Sequence, residues 1–575
     1  MNEEDRRDKE CAEKELIARA FSQKGENVWE GKLDIGLRKP IRIRVEFTDK
    51  FPYGLPELFV EDLSKQFHQI VPHVNDKGKI CIADGSVLLD SERPDRIMID
   101  ALCKAQSLLR DGIEGKLDAD IGEEFISYLD FDSISYTICN PCAPTSKEIS
   151  LLEFKGFYFN RTSQLFANDL ESGKKWLSKM NFDFQNEKKS WLHVLAKPIT
   201  PPNYKSTYRN KHFFRDLKNN STSTKDYDRF ITWLKKVGLP VLVLISIPIS
   251  ETSGTVLYGV SLKKPSEKRA KKGGFRGKLP IERELDLILI DPAEQNLVIR
   301  LDPEYLLARG GAEVALRKYS IALAGCGALG SFLAEKFALM GVGNLRLIDN
   351  DILLNDNIHR HVLGVGCLQL NKAQAMKIFL ERRFPHLSID YMNDDIIDVL
   401  TDEQNFITDT DLLCIALGNE TLELNINRIL KRKMPRIHAW VEPLGIGGHV
   451  FVTGLTQDAS CFSCLFERDE TLGLKNMAAF AAPGQNYSKR YAGCSGLFTP
   501  FSALHADRTA LEAATLAADI LKGLQQKNQL VSWYGDPRAF WDAGFNTTKR
   551  VNLFKTCPVL KFEIPQKNDC ICKKW

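Results

Sequence analysis

The chain has 575 residues, too long for one hydrophobic core, which implies roughly three or four domains. Hydrophobic residues make up 43% and charged residues 27%, as in an ordinary soluble globular protein. Lys plus Arg number 78 against 75 Asp plus Glu, so the net charge of +3 excludes the global field of a nucleic-acid or membrane-surface binder.

The first stretch, "MNEEDRRDKECAEKE", is charged and helical in character and lacks the apolar segment of a signal peptide. No uninterrupted apolar run of about 18 residues occurs, so no membrane span is expected. The 14 cysteines then read as reduced cytoplasmic thiols, either metal ligands or catalysts, rather than a disulfide frame. After the helix, Leu33, Ile35, Ile41, Ile43 and Val45 alternate at the period of half-buried strands. Prolines in "FPYGLPELFV" interrupt the pattern before another strand. "HVNDKGKICIAD", residues 73–84, sets Cys81 after a Lys-Gly-Lys turn, and "RIMIDALCKAQSLL" and "EEFISYL" read as helical. This makes a compact α+β unit, residues 1–142.

Residues 143–314 form an α/β linker domain. "LPVLVLISIPI" and "ELDLILIDP" read as apolar strands, and the basic stretch "KKPSEKRAKKGGFRGK" between them reads as a solvated loop. Only Phe275 there could stack on a base, so no nucleic-acid contact is expected. From 319 the pattern becomes strand, glycine turn, helix, strand, which implies a doubly wound, mostly parallel sheet over residues 315–575.

Gly325, Gly327 and Gly330 form G-C-G-A-L-G after a strand and at a helix start. Such a turn lets a phosphate approach the backbone and the free N–H groups of the helix. Asp349, at the end of the next strand, is placed to hold a ribose. This motif alone suits a dinucleotide as well as ATP. Asp351, Asn357, Arg360 and Lys372 follow, and fixed cations at that position suit a triphosphate rather than a dinucleotide oxidoreductase. The C-x-x-C pair Cys461/Cys464 and the C-terminal pair Cys570/Cys572 together could hold zinc, with Cys557 as a spare ligand. Cys494 stands in a Cys-x-Gly turn before a small-residue helix.

"GCGALG", "LIDND", Asn357, Arg360 and Lys372 together resemble the adenylation domains of ubiquitin-activating enzymes and the bacterial ThiF/MoeB family. The resemblance implies a Rossmann-like domain that uses ATP and magnesium to adenylate the C-terminal carboxylate of a small protein. It makes Asp349 the ribose ligand, Asp351 a second acidic residue, Asn357, Arg360 and Lys372 the phosphate contacts, and Cys494 the nucleophile that forms a thioester. Relatives carry an Asp near the end of the fourth strand for magnesium; Gly418 stands there, with Asp351 or Glu420 as alternative hard ligands. The N-terminal unit, through Phe51, Pro52, Pro56, His73, Asn75, Gly78, Ile80 and Cys81, resembles the ubiquitin-conjugating fold, with Val74 in place of a proline. There Cys81 would receive the thioester, Asn75 would donate to the oxyanion of aminolysis, and His73 would tie down the turn.

A conjugating unit, a linker and a ThiF-like domain in this order resemble the fused proteins of bacterial CBASS anti-phage systems. That resemblance implies a cargo with a free C-terminus, a cGAS-like nucleotidyltransferase, joined to acceptor lysines. It also implies a homodimer through residues 315–575, with Arg309 as an arginine lent to the partner's site. A sulfur-carrier adenylyltransferase would leave Cys81 without a task. A degenerate binding scaffold would agree with Gly418 but not with the intact turn, Arg360 and Lys372.

Overall fold

In a computed structural model, the described residues are 3–575 other than 38, 68–69, 84–86, 119, 130, 143–144, 157–161, 200–207, 250–253, 267–268, 270–278, 432, 457–458, 472 and 491–496. The chain is multidomain. Its contacts divide it into two units, Met1–Lys174 with Asp183–Asp302, and Lys175–Phe182 with Pro303–Trp575.

In the first unit, β1 (Ser22–Gly25), β2 (Val28–Leu33), β3 (Ile41–Glu46), β4 (Glu57–Val60) and β5 (Lys79–Ile80) form an antiparallel sheet in chain order. Strand β3 shows why: Ile41, Ile43 and Val45 are buried while Arg42 faces solvent. Two helices cover the buried face. Glu3–Ala18 contributes Ala12 and Leu16, and Pro94–Ile113 contributes Met98, Ala101, Leu102, Ala105 and Leu109 at helical spacing. Pro94 opens the second helix, where its missing N–H costs nothing.

A closed barrel follows, in the order β10-β11-β12-β6-β8-β7-β9. Its strands are β6 (Ser133–Thr137), β7 (Lys147–Lys155), β8 (Thr162–Ala167), β9 (Asp183–Val194), β10 (Val241–Pro248), β11 (Thr255–Leu262) and β12 (Glu294–Arg300). Strand β6 precedes residue 142, the expected domain limit, yet it pairs with β12 and β8. The continuous apolar run of β10 is buried on both faces. Leu242 and Leu244 join Ile149, Phe166, Leu192, Leu257 and Val298. Val243, Ile245 and Ile247 pack with Phe213, Phe230 and Trp233 of the outer helices.

"ELDLILIDP" is not a strand. Ile281–Ile288 is a helix, and the strand comes later, as β12. Ile281, Leu285 and Ile288 recur at helical spacing and turn toward the outer cluster, so a short apolar run had two readings and tertiary packing chose the helix.

The second unit carries an eight-stranded sheet ordered β15-β14-β13-β16-β17-β18-β23-β24. Its parallel part is β13 (Ser320–Ala324), β14 (Asn344–Ile348), β15 (Ser388–Met392), β16 (Leu412–Ile415) and β17 (Arg436–Val441). Strands β18 (Gly447–Thr453), β23 (Gln529–Tyr534) and β24 (Val559–Phe562) extend it antiparallel. Between them lie two small hairpins, β19 (Phe466–Asp469) with β20 (Gly473–Asn476), and β21 (Lys489–Arg490) with β22 (Leu497–Phe498). Strand order reverses at β13, which has β14 on one side and β16 on the other; ligands of open α/β sheets bind at such a point.

Candidate active sites

The glycine turn leaves β13 and enters the helix Ala328–Met340. Each glycine has its own reason. Gly325 has φ +90, and a Cβ there would lie 2.8 Å from the Ala416 carbonyl oxygen. A Cβ on Gly330 would fall 1.8 Å from the Gly325 carbonyl oxygen, so the helix can sit this close to the turn only with glycine. Gly327 is different. Its Cβ would meet nothing within 4 Å, because it faces a cavity of about 890 Å³.

That cavity is lined by Gly327, Asn357, Arg360, Lys372, Gly418 and Glu420, with Trp440, Glu442, Tyr487 and Phe501 among its other walls. Asn357 accepts the Leu354 N–H at 3.1 Å, which shapes the short helical turn Asn355–Arg360. Arg360 has its guanidinium 5.6 Å from the Phe498 ring and 5.8 Å from the Phe501 ring. Lys372 is almost buried at the start of the helix Lys372–Arg383 and pairs with Asp351 at 2.7 Å. Asn371 caps that helix and donates to the Asp349 and Asp351 carbonyls.

Asp349 and Asp351 do not line the cavity. Asp349 accepts the backbone N–H groups of Cys326 at 2.6 Å and Asp351 at 2.8 Å, and so braces the glycine turn. Burial raises its carboxyl above the ordinary range. Gly418, at φ +64, offers no side chain to a metal, and Glu420 is held by Asn476 at 2.7 Å.

Three residues of the site were not singled out from the sequence. His361 Nδ1 accepts the Leu363 N–H, so Nε2 donates to the Cys326 carbonyl at 2.7 Å; burial pushes its pKa down to about 4. Glu423, on the cavity wall, meets His438 at 2.8 Å, and burial drives its carboxyl well above the usual range. Glu442 accepts N–H groups from Phe480 and Ala481 and faces His449 at 3.0 Å. Only "NIHRHVLG", with two histidines around Arg360, hinted at any of them.

The four cysteines Cys461, Cys464, Cys570 and Cys572 gather with all sulfurs within 4.8 Å of one another. Cys461–Cys570 and Cys464–Cys572 are each 3.6 Å apart. Four sulfurs about 2.3 Å from a tetrahedral zinc lie about 3.8 Å from each other, so the set fits that ion. A hydrogen bond from Cys464 holds the Cys461 thiol down, to about 4. Cys557 is exposed and stands apart from this cluster. Cys494 lies outside the described residues, which resume on either side in β21 and β22.

In the first unit Cys81 is exposed, and its N–H donates to the His73 carbonyl at 2.8 Å. The Asn75 side-chain oxygen accepts the N–H groups of Lys77 and Lys79, at 3.0 and 2.9 Å, which leaves its amide nitrogen as the donor. His73 sits at φ +63. Its ring lies 3.1 Å from Asp120 and 2.8 Å from Glu124, and its N–H donates to Glu124 at 2.9 Å. The ring thus fastens the turn to side chains rather than to backbone carbonyls.

With both sites in view, comparison with known proteins is decisive. The model of the Prokaryotic E2 family B matches residues 5–137, and that of the ThiF family residues 305–534. The chain thus carries a Prokaryotic E2 family B domain followed by a ThiF-family domain. An ATP-dependent ubiquitin transferase-like protein Cap2 of Pseudomonas aeruginosa is 24% identical over 497 residues, 81% of this chain and 82% of that one. A protein of the same name from Escherichia coli is 23% identical over 496 residues, 79% and 81% of the two chains. The molybdopterin-synthase adenylyltransferase of Haemophilus influenzae is 35% identical over 79 residues, 14% of this chain and 32% of that one. Among solved structures, E. coli MccB with MccA-N7isoASN has a TM-score of 0.32 at 13% identity, covering 74% of this chain and 99% of that one. The fused chain is an enzyme of the adenylating and conjugating kind.

Proposed function

We propose that the chain activates the C-terminal carboxylate of a protein cargo with ATP and joins it to an amine. The cargo carboxylate attacks the α-phosphorus, and pyrophosphate leaves. The Cys494 thiolate attacks the acyl carbon, AMP leaves, and a thioester forms. The Cys81 thiolate displaces the Cys494 thiolate in turn. The neutral amine of an acceptor lysine then attacks the second thioester, the Asn75 amide nitrogen donates to the oxyanion, the Cys81 thiolate leaves, and the amine's proton passes to it or to solvent. Holding both thiols in one chain raises their effective concentration for one another.

What supports this reading above all is one cavity onto which Gly327, Asn357, Arg360 and Lys372 converge, at the point where strand order reverses. The helix Ala328–Met340 presents its N-terminus there, and Arg360 and Lys372 supply fixed positive charge for phosphates. Asp349, the ribose ligand by resemblance, is absent from the cavity lining and braces the turn by accepting the Cys326 N–H. Magnesium would arrive with ATP and neutralise phosphate charge; Glu420 is the cavity carboxylate near Gly418 able to meet it. Zinc would sit among Cys461, Cys464, Cys570 and Cys572 and fasten the tail to the domain.

The cargo in this proposal is a cGAS-like nucleotidyltransferase primed for anti-phage defence, in a cytoplasmic homodimer built on residues 315–575. Arg309, exposed at the end of the helix Pro303–Arg309, would serve the partner's site. Among the described residues no helix is long and apolar enough to cross a membrane. Sulfur-carrier adenylation alone leaves the exposed Cys81 and its braced turn without a purpose. The test is ATP–pyrophosphate exchange with a candidate cargo, followed by trapping of a thiol-sensitive adduct. No exchange with any carboxylate-terminated cargo would refute the adenylation step. An adduct that survives loss of both Cys81 and Cys494 would refute the relay.

A further inference from the structure

The four-thiol cluster has a buried cation beside it. Arg436 opens β17 and is only 1% exposed. One of its terminal nitrogens donates to the Lys431 carbonyl, just past the helix Glu420–Leu430. Its Nε and other terminal nitrogen are buried with no acceptor, and among the described residues no carboxylate pairs with it. A guanidinium taken out of water without an anion is strongly unfavourable, so this arrangement asks for a negative group.

Two contacts locate that group. Residues 436 and 438 share one face of β17, and the His438 ring stacks on Phe462 with centroids 4.1 Å apart. Phe462 directly follows Cys461. Asn427, one helical turn before Lys431, reaches the Cys461 sulfur at 3.5 Å. On the far side of the cluster Gln566 donates to the Cys572 sulfur at 3.4 Å.

A divalent cation bound by four thiols displaces their four protons and leaves the centre with a net double negative charge, three of its four ligands being buried. We propose that Arg436 is the built-in counter-charge of a four-thiolate metal centre, with Asn427 and Gln566 as hydrogen-bond donors to its sulfurs. The proposal rests on the zinc reading above. Arg436 touches no ligand of the cavity; it acts on the metal's sulfurs from outside.

The experiment uses the full chain purified without chelator. Zinc content is measured by mass spectrometry of the metal, and release rate by transfer to a colorimetric chelator. Wild type and Arg436→Lys should each carry zinc and release it slowly. Arg436→Met should release it about 10–100-fold faster, the usual cost of losing an outer partner of a metal ligand. The sign of the stability effect should reverse with the metal. Arg436→Met melts lower than wild type when zinc-loaded, and higher after zinc is stripped, because it removes an uncompensated buried charge. Equal release rates in wild type and Arg436→Met, or a lower melting point in both states, overturn the role of Arg436. Should Arg436→Met not accumulate, Gln566→Leu carries the test: unchanged zinc release there overturns the outer shell. Wild type that holds no zinc even after reconstitution defeats the zinc reading instead, which is a separate outcome.

Discussion

The three glycines of the nucleotide turn should fail in different ways when each receives one methyl group. Gly330→Ala places a Cβ 1.8 Å from the Gly325 carbonyl oxygen, where no side chain can swing aside. The helix Ala328–Met340 must retreat, at a cost of about 1–3 kcal/mol for overpacking. Gly325→Ala combines a similar clash, 2.8 Å to the Ala416 oxygen, with φ +90, which adds about 1–2 kcal/mol. Both should lower the melting temperature by roughly 2–4 °C per kcal/mol for a unit of this size. Gly327→Ala has empty space around its new atom and an ordinary φ of −76, so its melting temperature should match wild type. Yet that methyl group points into the cavity where phosphates would lie, and it should weaken ATP about tenfold, near 1.4 kcal/mol. The assay is calorimetric binding of magnesium-ATP alongside thermal unfolding of the same samples. Normal ATP binding by Gly327→Ala, or a melting point as low as that of Gly330→Ala, would refute the division of labour within the turn.

Arg360 rests between Phe498 and Phe501, and cation–π contacts of this kind contribute about 0.5–2 kcal/mol. Phe501→Leu should therefore raise the KM for ATP several-fold in pyrophosphate exchange, whereas Phe501→Trp keeps it low. His361 titrates at about 4 in the folded chain instead of its ordinary 6.5, because burial disfavours its charge. Its contribution is complete above 6.5 and is lost as pH falls toward 4, about 3 kcal/mol in all. His361→Gln should be less acid-sensitive than wild type between those values, read as the difference between two denaturation series. Cys572→Ser should abolish zinc retention and Cys557→Ala should not, measured by metal content after dialysis. With a working cargo, Cys81→Ala should accumulate a thiol-cleavable adduct on Cys494, and Cys494→Ala should form none, as resolved by mass spectrometry of digested protein.

Legibility in the sequence followed the reach of each interaction. The glycine turn was readable because its spacing encodes local backbone geometry: strand end, left-handed turn and helix start lie within six residues, Gly325 to Gly330. The thiol cluster was readable as two close pairs, since soft ligands at short spacing have few other uses. What the spacing could not say was which groups the Asp349 carboxylate meets in the fold. It accepts the Cys326 N–H of the turn, a bond made through folding rather than sequence adjacency. The closed barrel was hidden for the same reason. Its strand order is not the chain order, and β6 joins partners that come more than 25 residues later. Ile281–Ile288 shows the limit of periodicity in short runs, where an apolar stretch fits either period until a neighbouring cluster selects one.

The two thiols need different surroundings, and this bears on the order of the relay. Cys81 is presented on an open turn whose shape is fixed from behind by His73, Asp120 and Glu124. A thiol that receives an already energised acyl group needs access and a stable oxyanion donor more than a strongly lowered pKa. Asn75, whose side-chain oxygen accepts the Lys77 and Lys79 N–H groups, is the donor proposed for that task. The energy-coupling step instead requires fixed cations, and Arg360 and Lys372 line the cavity of the other unit. The proposed relay therefore has its acyl group start in the unit with the cation-lined cavity and end on the open thiol. Reversing it would ask Cys81 to capture a free carboxylate with no phosphate site beside it among the described residues.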